Sequence, residues 1–183
     1  MDSRKLLILD IDETLVVVSD DELDDYHFTI NFDNEILYVR KRPGLDQFLN
    51  WSSQHFKVAF WSASDIDYVQ QIVNNILPPM TTPFFVWGGD RCTKRYRMEG
   101  LHTTERIVIK DLKKVFRRKS FGANKQNVLV VDDTPTTYCR NYGNAIPISK
   151  FKGDVSDIEL TKVRQKLMRL RDALDVRKES KQG

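Results

Sequence analysis

The stretch "LLILDIDETL", Leu6 to Leu15, decides the reading of this chain. Four apolar residues run without a break into Asp10, and Asp12 follows two positions on. An unbroken apolar run of that length suits a strand buried on both faces, as in a parallel sheet. Strand side chains alternate between faces, so positions 10 and 12 are expected to share one and to crowd two carboxylates together. Such charges repel, and both ionise only where a cation or a shared proton intervenes.

The same pattern returns twice. "VAFW" (Val58–Trp61) runs into Ser62 and Ser64, and "VLVV" (Val128–Val131) runs into Asp132 and Asp133. Between these runs lie helical patterns. "RPGLDQFLNWSSQ" places Leu45, Phe48 and Leu49 on one face behind Pro43. "SDIDYVQQIVNNIL" carries a stripe of Ile66, Val69, Ile72, Val73 and Ile76, with Ser64 or Asp65 as its cap and Pro78-Pro79 as its stop. "DLKKVFRRKSFG" reads as a helix ended by Gly122. A last helix, "SDIELTKVRQKLMRLRDAL", has Ser156 and Glu159 at capping-box spacing and Val163, Leu167, Leu170 and Leu174 as its apolar face. "YHFTINF" and "EILYVRK" around Asp33-Asn34 predict a β-hairpin, with nothing else between Leu15 and Lys41. "PFFVW", "RIVIKD" and "NAIPIS" are further strand candidates. Strand–helix alternation of this kind predicts an α/β fold with a doubly wound, mostly parallel sheet.

Composition agrees with one domain over 1–176 and a frayed tail over 177–183: there are 183 residues, 40% apolar and 10% aromatic. The formal charge of +3 says little, but its distribution is uneven. Ten acidic residues and no Lys or Arg lie between Asp10 and Val39, whereas Arg91 to Lys125 holds twelve basic residues against three acidic ones. The basic run, "RRK" at Arg117–Lys119 included, reads as a solvated face or as a meeting place for an anionic partner. Cys92 and Cys139 are far apart, and two free thiols are expected, with a single disulfide as the alternative. The three histidines match no zinc spacing, and no run reaches membrane length or forms a signal peptide. A soluble intracellular protein, cytoplasmic or nuclear and monomeric, is the expectation.

In a doubly wound sheet ligands bind beyond the carboxyl ends of the strands. Asp10, Asp12, Ser62, Asp132 and Asp133 are all expected there, together with Lys110 of "VIKDL". Crowded carboxylates suit Mg²⁺, which takes oxygen ligands and keeps waters and substrate phosphate. A hydroxyl and a lysine are groups that hold phosphate oxygens.

These segments carry a family resemblance. "DIDETL" is similar to the DxDxT motif that opens the haloacid-dehalogenase superfamily of phosphatases, and "WSAS", "VIKDL" and "VVDDTP" follow in the order of its later motifs. With "KRPGLDQFL" and "NAIPI", the chain resembles the small phosphatases that act on the C-terminal domain of RNA polymerase II. The resemblance implies a Mg²⁺-dependent phosphomonoesterase working through an aspartyl-phosphate, with no large cap domain, a small hairpin flap and a short β insertion at about 83–109. It implies Asp10 as nucleophile, Asp12 as acid and base, and Thr14 as a brace between them. It further implies Ser62, Ala63 and Lys110 around the phosphoryl group, and Mg²⁺ on Asp10, the Asp12 carbonyl and Asp133, with Asp132 behind. It puts the insertion near the site mouth, where Arg95, with Arg91, Lys94 and Arg97, is expected to meet substrate. A phosphoserine or phosphothreonine protein is the expected substrate. The alternatives are a small-molecule phosphatase, a polynucleotide 3′-phosphatase, and a receiver-type signalling domain.

Overall fold

The computed structural model describes residues 3–99 and 103–179, with the backbone alone for 97–99 and 103–105. In chain order, the elements are β1 (Leu6–Leu9), β2 (Val16–Ser19), β3 (Phe28–Phe32), β4 (Glu35–Lys41), α1 (Leu45–His55), β5 (Lys57–Trp61), α2 (Ile66–Ile76) and β6 (Val86–Trp87). Then come β7 (Thr93–Glu99), β8 (Thr103–Ile109), α3 (Lys113–Phe116), β9 (Val128–Asp132), β10 (Ala145–Pro147), α4 (Glu159–Arg171) and α5 (Val176–Glu179).

The central sheet has the order β10-β9-β1-β5-β6, and every pairing in it is parallel. From β1 the chain winds outward through β5 to β6, then returns past β1 to lay down β9 and β10. That reversal creates a crevice beyond the carboxyl end of β1, where a doubly wound sheet takes its ligand. Alternation divides the buried strand residues into two cores. Leu7, Leu9, Val58, Phe60, Leu129 and Val131 pack with α1, α2 and α4 on one face. Leu6, Ile8, Ala59, Trp61, Val128 and Val130 pack with Leu112, Val115 and Trp87 on the other.

Several local expectations are corrected. β2 was not expected; it joins the hairpin in an antiparallel sheet of order β2-β4-β3, so the flap has three strands. As expected of a short β insertion at about 83–109, β8 lies outside the parallel sheet and pairs antiparallel with β7 in a separate two-stranded sheet. Lys110 therefore enters the crevice from the end of a hairpin. The helix expected up to Gly122 breaks into α3 and a 3₁₀ turn at Lys119–Phe121, with Gly122 left-handed at φ 61°. No capping box forms at Ser156 and Glu159, because Asp157 accepts the Glu159 N–H at 2.9 Å while Ser156 turns back onto Asp154. Leu174 is exposed, off the apolar face of α4, which Leu160, Val163, Leu167 and Leu170 form.

α2 is capped by Asp65, whose side chain accepts the Asp67 N–H. α5 runs through 177–179, where a tail was expected. Residues 180–183 and His102 lie outside the described residues. Cys92 and Cys139 are both free thiols. No described helix is long and apolar enough to cross a membrane.

Candidate active site

Strand register assembles the first half of the site. Leu9 pairs with Val131 and the Asp10 N–H donates to the Val131 carbonyl at 3.0 Å, which sets Asp10 beside Asp132. The Lys110 ammonium sits between the two, 2.5 Å from Asp10 Oδ1 and 2.7 Å from Asp132 Oδ2. All three groups are buried. The Thr14 hydroxyl lies 3.2 Å from Asp10 Oδ2 and 3.0 Å from Asp133 Oδ1, and its single proton serves one of them at a time. Asp132 also accepts the Thr134 N–H at 2.9 Å, and Asp133 accepts the Thr134 hydroxyl at 3.0 Å.

Electrostatically this cluster lacks positive charge. Burial pushes the Asp10 carboxyl well above the ordinary carboxylate range; Lys110 pulls it back and Asp132 pushes it up again. Burial alone would lower Lys110, yet Asp10 and Asp132 outweigh it and hold the ammonium above its ordinary value. Three carboxylates crowd around one buried ammonium, and the only other cation near them is the half-exposed Lys150, 3.5 Å from Asp133, among the described residues. One oxygen each from Asp10, Asp132 and Asp133 lies within 4.8 Å of the others, so a hard divalent cation fits the donor set.

Asp12 lines the same cleft as Asp10 but lies outside the cluster of Asp10, Asp132 and Asp133. β1 ends at Leu9, and the N–H groups of Thr14, Leu15 and Val16 all turn back to the Ile11 carbonyl. Glu13 adopts φ 56°, a left-handed conformation that costs a non-glycine residue about 1 kcal/mol. The turn sends Asp12 toward the loop after β5. There Oδ2 accepts the hydroxyls of Ser62 at 3.0 Å and Ser64 at 2.8 Å, and Oδ1 accepts that of Tyr68 at 2.5 Å. Among the charges acting on Asp10, Asp12 ranks last and Asp132 is the stronger repeller.

These side chains line a cleft of about 360 Å³ whose walls include Asp10, Asp12, Ser62, Ala63, Lys110 and Asp133. Arg106 and Val108 of β8 form its far lip. Arg95 lies exposed on β7 and does not line the cleft, and Arg91 and Lys94 do not either; the side chain of Arg97 lies outside the described residues. Sequence reasoning missed Tyr68, Arg106, Gly89 and Arg42. Gly89 donates its N–H to the Ser64 carbonyl at 2.7 Å, and a Cβ there would lie 2.3 Å from the Ala63 carbonyl oxygen. Only glycine lets the backbone after β6 press so closely on the loop that carries Ser62.

The sequence model of the NLI interacting factor-like phosphatases matches residues 5–177. Phosphatase PSR1 of Saccharomyces cerevisiae is 30% identical over 161 residues, which is 86% of this chain and 34% of that protein. The human CTD small phosphatase-like protein is 29% identical over 161 residues, 86% of this chain and 52% of its own. CTD small phosphatase-like protein 2 of Dictyostelium discoideum is 29% identical over 175 residues, 93% of this chain and 28% of its own. The chain thus spans about a quarter to a half of the curated relatives it matches. Among solved structures, a variant of the fission yeast RNA polymerase II CTD phosphatase Fcp1 bound to beryllium fluoride has the same fold. Its TM-score is 0.60 at 18% identity, with 91% of this chain and 50% of that chain covered.

Proposed function

The chain belongs to the NLI interacting factor-like phosphatase family, and on that premise we propose that it hydrolyses phosphomonoesters on serine or threonine of a protein segment through a phosphorylated Asp10. The observation that carries this reading is the placement of Asp10: buried, 2.5 Å from an ammonium, and in reach of two further carboxylates at the mouth of an uncapped cleft. Among the described residues no large cap covers that mouth. An open site admits a phosphorylated side chain still attached to its polypeptide.

Asp10 attacks phosphorus, the bond to the leaving alcohol breaks, and Asp12 protonates the departing oxygen. Asp12 then takes a proton from the water that hydrolyses the aspartyl-phosphate. Lys110 holds the Asp10 carboxylate in place and offers its charge to the phosphoryl oxygens, as does the Ser62 hydroxyl. In a loose transition state the charge spreads over those oxygens, so donors fixed beforehand supply most of the stabilisation. Thr14 keeps Asp10 and Asp133 at a constant separation. Asp10, Asp133 and the Asp12 carbonyl would hold Mg²⁺, with Asp132 behind them. When bound, the ion would offset negative charge in this cluster and supply Lewis-acid stabilisation for the phosphoryl oxygens.

The expected result is release of phosphate from both an aryl phosphate and a phosphoserine peptide in the presence of Mg²⁺. EDTA should abolish turnover and excess Mg²⁺ restore it, with sugar and nucleotide monophosphates cleaved far less efficiently. A metabolite cleaved much faster than any phosphopeptide would contradict the protein substrate.

A further inference from the structure

Asp12 is held in an unusual way for a group that must reach a leaving atom. Both of its oxygens are occupied by hydroxyl donors, and none of the three comes from its own turn. Two of the donors are serines on the loop after β5. The third, Tyr68, is rigid: it is buried on α2, and its ring stands edge-on to Phe32 of β3 with centroids 5.5 Å apart. Its hydroxyl is also nearest, at 2.5 Å from Oδ1. Ser62 and Ser64 share the other oxygen, and Ser62 Oγ in turn accepts the Ser64 N–H at 3.0 Å.

Resting on the phosphatase reading above, we propose that Tyr68 is a positioning residue for the reaction. It grips one oxygen of Asp12 throughout the cycle, while the phosphoryl group of the substrate draws the Ser62 hydroxyl away from the other. That oxygen keeps the Ser64 hydroxyl and, with one acceptor position now open, faces the leaving group. In the phosphorylating step, the bond between phosphorus and the alcohol oxygen breaks and the bond to Asp10 forms; the proton that Asp12 takes up from solvent once the Ser62 hydroxyl has left it passes to the alcohol oxygen, and the hydrolytic water later returns one to Asp12. Before substrate binds, the three hydroxyls hold both oxygens of Asp12. Phosphate binding thus completes the site by exchanging one hydrogen bond. Tyr68 touches neither phosphorus nor the leaving atom; it acts through the aim of Asp12.

Leaving groups separate this role from a merely structural one. A nitrophenolate departs without a proton, whereas the alkoxide of phosphoserine needs one, so mis-aiming Asp12 harms the second far more. The experiment compares kcat/KM for p-nitrophenyl phosphate and for a phosphoserine peptide in wild type, Tyr68→Phe and Ser64→Ala. With Tyr68→Phe the peptide value is expected to fall about tenfold further than the aryl value, a fraction of the whole contribution of an acid catalyst. Ser64→Ala, which removes a different donor from Asp12, should show the same sign with a smaller ratio. Equal losses on both substrates, or none, in both variants would overturn the clamp while leaving the phosphatase reading intact. A wild-type chain that hydrolysed neither substrate would overturn both.

Discussion

Asp10→Asn is expected to abolish phosphate release, by about 10⁴-fold or more, the order lost when a covalent nucleophile is deleted. Asparagine keeps the shape of the side chain but cannot form an acyl phosphate with a carboxylate oxygen. The fold should survive the change. Asp10 lies among three carboxylates and one ammonium, so its neutralisation removes repulsion from Asp132 along with attraction to Lys110. Lys110 keeps its bond to Asp132 at 2.7 Å. A cooperative thermal transition together with the absence of turnover would separate lost chemistry from lost structure. Near-normal turnover by the variant would remove Asp10 from the role assigned to it.

The second large effect concerns Arg42, which is 1% exposed and contacts no part of the cleft directly. Its guanidinium makes a two-pronged pair with Asp157, at 2.9 Å through Nε and 2.7 Å through Nη2. It also donates to the carbonyls of Thr14 at 2.9 Å and Ser149 at 2.8 Å and lies over the Phe151 ring. Arg42→Met leaves a mostly buried carboxylate and two carbonyls without this partner. Breaking such a pair from one side costs about 3–5 kcal/mol. For a domain of this size the midpoint of thermal unfolding should fall by roughly 10 °C. Activity should fall as well, because the Thr14 carbonyl is tied to Arg42 while the Thr14 hydroxyl braces Asp10 and Asp133.

The pair also has a pH signature. Burial acts to raise the Asp157 carboxyl, but Arg42, with help from the Glu159 N–H and Lys162, outweighs it and holds that carboxyl below its ordinary value. A depressed carboxylate contributes stability that is complete above the unfolded pKa, about 4, and is lost as pH falls through the lower folded value. The gap in stability between wild type and Arg42→Met should therefore narrow on acidification below about pH 4. A gap that stayed constant down to pH 2 would mean that the ion pair is not its source.

What the sequence made legible, and what it hid, follows from the range of each interaction. β1, β5 and β9 were readable because four or five consecutive apolar residues have few other uses, and their polar ends follow from the strand register. Asp10 and Asp12 do face one cleft, as alternation suggests, but β1 stops at Leu9 and a turn, not a strand, aims Asp12 at the loop after β5. Arg42 in "KRPG" looks like any exposed basic residue; its partner Asp157 lies 115 positions away. Tyr68 fits the apolar stripe of α2, and nothing local signals that its hydroxyl meets Asp12. The capping box at Ser156 and Glu159 was correct as a local pattern, yet Asp157, fixed by Arg42, took the N–H instead. "VVVS" of β2 carried strand propensity, but its place in the flap depends on pairing with β4, from Val16 with Lys41 to Ser19 with Tyr38.

The central claim is that the carboxylates gathered at the end of β1 hold a divalent cation and make Asp10 the atom that takes up phosphorus. A crystal structure with Mg²⁺ and beryllium fluoride tests it most directly. Trifluoroberyllate on an Asp10 carboxylate oxygen, within hydrogen-bonding distance of Lys110 and the Ser62 hydroxyl, with Mg²⁺ ligated by Asp10 and Asp133, is the predicted result. An unmodified Asp10 with no cation among Asp10, Asp132 and Asp133 at saturating concentrations would contradict the account.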